Sequence, residues 1–78
     1  MTVPIEILMA YCRADGEDAQ TLVQDAAEDA ELYLSNMGAD PASPVYNRAI
    51  KALTLHFFDH PEGGEFSPAL KKLMNALK

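Results

Sequence analysis

Apolar residues return every three or four positions along most of this chain, in runs cut by Gly, Pro and Asp. That period places them on one face of an α-helix. No stretch alternates apolar and polar at the period of two that a half-buried strand requires. The pattern predicts an all-α fold, a small bundle of four short helices at about 3–12, 16–37, 44–59 and 68–77, within a single helical domain over 1–78.

Each run carries its own punctuation. In the first, Thr2 is placed to cap, Pro4 falls in a first turn that tolerates it, and Ile5, Leu8, Met9 and Cys12 share a face. In the second, Asp15 stands as N-cap with Asp18 three positions on, and Gly38 is placed to close the C-terminus. Its stripe runs through Ala19, Leu22, Val23, Ala26, Ala30, Tyr33, Leu34 and Met37. The third opens on Ser43-Pro44 and stops before Pro61, with Tyr46, Ala49, Ile50, Leu53 and Phe57 inward and Asn47, Arg48, Lys51 and Thr54 on its polar face. Gly63-Gly64 gives a flexible joint. Ser67-Pro68 opens the fourth, whose stripe is Leu70, Leu73, Met74 and Leu77, with Lys71, Lys72 and Lys78 toward its negative end.

Length alters what this pattern can achieve. A 78-residue chain builds a small core, and domains of this size gain roughly 3–5 kcal/mol from it, so disulfides, metals or oligomerisation often assist. Cys12 is the only cysteine, which excludes an internal disulfide. Oligomerisation is the support the sequence favours. The formal charge of −6 argues against free-standing nucleic-acid binding, which needs clustered Lys and Arg. Residues 1–40 hold nine acids against Arg13 alone, whereas residues 41–78 hold three acids and five bases. Such asymmetry suits head-to-tail contact between copies. The opening MTVPIEILMA has no positive n-region or cleavage site, and no apolar run reaches the roughly 18 residues that span a bilayer, so no membrane association and a reducing cytoplasm are expected.

Catalytic chemistry finds little footing, and no catalytic residue, metal or cofactor is assigned. His56 and His60 have an i, i+4 spacing that can hold a metal, but residue 57 is Phe and no third ligand stands nearby. Cys12 on an apolar face reads as a buried thiol. Ser43 and Ser67 serve as caps, and the Asp15-Gly16-Glu17-Asp18 turn is too short for a calcium loop.

Function therefore rests on surfaces. Asp25, Glu28, Asp29 and Glu31 form an acidic face on the second helix, with Leu32 inside it. Leu55 and Phe58 project on the polar side of the third, making that helix apolar almost all round and hence either central or in contact with a partner. Leu32, Leu55, Phe58, Leu70 and Met74 are the interface candidates, the last two because a tethered fourth helix can swing onto a neighbour.

The stretch Tyr11-Cys12-Arg13-Ala14-Asp15, then Asp18, Leu22-Val23, Ala26-Ala27, Ala30 and Tyr33-Leu34, resembles the head–tail connector (adaptor) proteins of tailed bacteriophages and prophages. Arg48 to Phe58 resembles their next helix, apolar and ending in aromatics, and Ser67 to Leu77 their last. The loop before that last helix is shorter here, with Asp59-His60-Pro61 after the aromatics. The resemblance implies a structural virion protein that forms a homo-oligomeric ring under the portal protein, continues the DNA channel and docks tail-completion proteins. It places the chain in the bacterial host cytoplasm and then at the head–tail junction of the virion. An acidic wall fits a channel through which DNA slides. A second reading, from another class, is a small acidic regulatory protein of anti-repressor or DNA-mimic type that binds a basic protein partner.

Overall fold

The computed structural model describes residues 3–62 and 64–77; Thr2 with its capping role, Gly63 of the joint and Lys78 lie outside the described residues. Four helices follow in the expected order: α1 (Ile5–Tyr11), α2 (Glu17–Asn36), α3 (Tyr46–Asp59) and α4 (Pro68–Asn75). There is no strand among the described residues.

Local chemistry explains where each helix begins and ends. Ser67 caps α4 through its Oγ, which accepts from the Leu70 N–H at 3.2 Å, with Pro68 at the first helical position. The same Ser-Pro pair acts differently before α3. The Ser43 hydroxyl accepts from the Val45 N–H, two residues on, and the Ser43 carbonyl from the Tyr46 N–H, closing a tight turn. Regular helix therefore starts at Tyr46, later than the sequence pattern suggests. Asp15 does not cap α2, because Gly16 stands between it and the helix at φ 93°, ψ 165°. That conformation is essentially confined to glycine and turns Asp15 away from the first amides.

Helices α1 and α2 both end in Schellman closures. After α2, Gly38 takes φ 80°, the Ala39 N–H donates to the Leu34 carbonyl and the Gly38 N–H to that of Ser35. After α1, Arg13 fills the same role at φ 55°, with the Ala14 N–H donating to Met9 and the Arg13 N–H to Ala10. Arginine in this left-handed region carries a steric cost that glycine avoids.

The core forms where α3 packs against α1, α2 and α4. Leu8 of α1, Val23 and Leu34 of α2, and Ile50 and Leu53 of α3 are fully buried. Ala27 and Ala30 of α2 and Ala49 of α3 are small residues buried in this core, where the two helices pack on each other. Leu70 and Met74 of α4, with Leu77 just past its end, close the core. The radius of gyration, 11.7 Å, matches the value of about 11.5 Å for a compact domain of this length. The four helices thus make one body.

Two expectations about α4 and α3 are corrected here. The fourth helix is docked: Leu70 and Met74 are buried in the chain's own core, so they are not offered to a partner in this arrangement. Phe66 pins the preceding linker, its ring edge-on to His56 at 4.7 Å and to Tyr33 at 5.4 Å. Thr54, expected on a polar face, is fully buried with its hydroxyl unpartnered. It lies where α3 is enclosed on more than one side.

Candidate functional site

Side chains with reactive chemistry do not converge on one site among the described residues. Cys12 is buried at the end of α1; burial first, and the charge of Asp59 second, hold its thiol above the ordinary 9.0. A thiol so placed is a poor nucleophile. His56 and His60 lie with ring centroids 5.1 Å apart, and His56 Nε2 is buried without a partner. Among the described residues no group of three His, Cys, Asp or Glu could hold a metal ion. The side-chain hydrogen bonds among the described residues all join side chain to backbone, so none forms a nucleophile–base relay. No helix among the described residues is long and apolar enough to cross a membrane.

Two surfaces remain, and they differ in shape and charge. The first is the outward ridge of α2. Leu32, 61% exposed, stands at its C-terminal end, and Asp25, Glu28 and Asp29 lie on the two turns before it, all exposed. At helical spacing Asp25 neighbours both Glu28 and Asp29, and like charges so placed destabilise by about 0.2–0.5 kcal/mol per pair. No Lys or Arg occurs between residues 14 and 47 to relieve them. Leu22, 59% exposed, extends the ridge toward the helix N-terminus.

Glu31 does not belong to this ridge. It is half-buried, with Oε1 enclosed and unpartnered; burial first, and the charge of Glu31 second, raise the Tyr46 phenol above 10.0. One helical position separates Glu31 from Leu32, but the roughly 100° step turns it toward the seam with α3.

The second surface is a groove of about 540 Å³ where α4 lies along α3 and the end of α1. Tyr11, Val45 and Leu73 supply apolar lining, while Arg48, Lys51 and Lys72 supply positive charge. None of the residues lining it is acidic. The Lys51 ammonium sits 5.9 Å from the centre of the Tyr11 ring, within cation–π range. Sequence reasoning missed this groove. The i, i+3 spacing of Arg48 and Lys51 was a visible signal, but nothing local indicated that Lys72 comes alongside.

Leu55 and Phe58 do not form the joint contact patch expected of neighbours on one helix. Both are half-buried against the core. Leu55 lines a cleft with His60, Ser67 and Leu73, whereas Phe58 lines another with Leu22, Asp25, Asp29 and Pro61. The reason is the central position of α3: neighbours cover its flanks, and these residues become the walls between helices. Leu22 and Tyr33, expected in the inward stripe of α2, lie at its exposed margins.

With this geometry in hand, comparison with known proteins finds no match to any family model, any curated protein or any solved structure.

Proposed function

We propose that this chain is a structural adaptor of the head–tail connector type, which assembles with copies of itself into a ring beneath a phage portal, continues the DNA channel and docks tail-completion proteins. Its work is done by burying surface between subunits, and no catalytic step is assigned to it. The observation that carries the reading is the segregation of charge on a well-formed bundle: an acidic ridge that ends in exposed Leu32, and a separate basic, apolar-lined groove. Surfaces of opposite charge on different parts of one molecule are what a head-to-tail assembly uses. The order and character of the four helices add the resemblance to connector proteins. The test is to mix the purified chain with portal rings from the phage or prophage that carries its gene. Co-sedimentation as a ring-on-ring complex is expected; a chain left unbound by intact portal rings overturns the reading.

One observation favours a second reading. α2 carries acids and no base, so it offers an anionic rod to a basic protein. Binding to a DNA-binding protein that DNA displaces and salt weakens would favour that acidic regulator.

A further inference from the structure

We propose that the acidic ridge of α2 in one copy docks into the basic groove of α3 and α4 in the next. The proposal rests on the self-assembling reading above and adds the two surfaces that meet. It assigns Asp25, Glu28 and Asp29 to subunit contact, not to the wall of a channel.

Shape argues for this pairing. Leu32 is an apolar knob on the outer face of α2, 61% exposed. The groove is the hollow that could take it, about 540 Å³ in volume with Val45 and Leu73 in its lining. Charge argues for it independently. Three carboxylates precede the knob on the same face of α2, and Arg48, Lys51 and Lys72 line the hollow with no acid among the lining residues. Docking brings each set to the counter-charge it lacks within its own surface, and removes Leu32 from water at the same time.

Topology fixes the kind of contact. α2 contributes no residue to the groove, whereas Leu22, Asp25 and Asp29 of the ridge border a different cleft, beside Phe58 and Pro61. The two meeting patches are therefore different surfaces of the molecule. A contact of that class leaves a free ridge at one end and a free groove at the other until a ring closes. Lys51, held over the Tyr11 ring, is already positioned in the groove before a partner arrives.

The experiment is sedimentation of the full chain across concentration, at low and at high salt. A ridge-reversed chain carries Asp25→Lys, Glu28→Lys and Asp29→Lys; a groove-reversed chain carries Arg48→Glu and Lys72→Glu. All five positions are exposed, and circular dichroism checks that helix content is retained. The wild-type chain is expected to associate at low salt and to weaken as salt rises. Each reversed chain alone should associate about tenfold more weakly or worse. An equimolar mixture should recover association, because basic ridges then face acidic grooves and acidic ridges face basic grooves. A wild-type chain that associates while the reversed chains associate equally well overturns the proposal and leaves self-assembly standing on another surface. A mixture that stays dissociated also overturns it. A wild-type chain that is monomeric in low salt overturns it too, and the connector reading is then judged by portal binding alone.

Discussion

The two longest helices, α2 and α3, pack on each other yet live in different surroundings. α2 has 20 residues, and buries one face while turning an acidic ridge to water. α3 has 14 residues, and meets all three other helices. Its apolar residues outside the main stripe, Leu55 and Phe58, become walls between neighbours. The number of helices that surround a helix, and not its length, decides how much of it the core uses. The consequence is a division of labour in which α3 holds the bundle together and α2 leaves a face exposed to water.

That contrast can be broken most forcefully at Leu53. Truncation to Ala at this fully buried position of α3 should cost about 3 kcal/mol, read as a shift in the urea midpoint. That cost is a large share of the stability of a small bundle, so the less severe Ile50→Val, at about 1 kcal/mol, gives a measurable companion. If both changes cost no more than a surface substitution, α3 is not the hub.

Thr54 sharpens the same point with the opposite sign. Its buried hydroxyl has no partner, and Thr54→Val should raise stability by about 1 kcal/mol. An unchanged or lowered midpoint would mean that the hydroxyl does find a partner in solution.

The two Schellman closures allow a narrower test at the start and end of the α1–α2 region. Arg13→Gly should stabilise by about 0.5–1 kcal/mol because Arg13 holds φ 55°. Gly38→Ala should destabilise by a similar amount, since no atom crowds the added Cβ and only the backbone conformation resists. Equal signs for the two changes would show that one closure is not formed.

At the outer side of α2, Leu32→Ala should change monomer stability by less than about 0.5 kcal/mol, while weakening self-association. A large loss of stability would place Leu32 in the core and remove it from the ridge.

Alkaline titration gives the gentlest probe. Cys12 and Tyr46 both have folded-state values raised above the ordinary 9.0 and 10.0. The unfolded chain therefore loses these protons first. Their stabilising contribution is whole below pH 9.0, and declines as pH rises through the two folded values. Cys12→Ala should lessen the early part of that decline, measured by urea unfolding between neutral and alkaline pH.

Much of this protein was written in local pattern. The three- and four-residue period set four helices in order, Ser67-Pro68 set the start of α4, and Gly38 set the close of α2. Leu32 stood out in an acidic face and is exposed there. These features depend on neighbours a few positions away, and so each is readable from a short window of sequence. Tertiary structure alone decided the rest. Ser43-Pro44 became a turn, Arg13 became a closing residue, and Leu70 and Met74 went to the core when α4 docked. The basic groove exists because α4 lays Lys72 and Leu73 beside Arg48, Lys51 and Tyr11, residues far apart in the chain. Helical periodicity gives each helix a sticky side, but which sides meet is settled by packing, where burial on every neighbour must be satisfied at once.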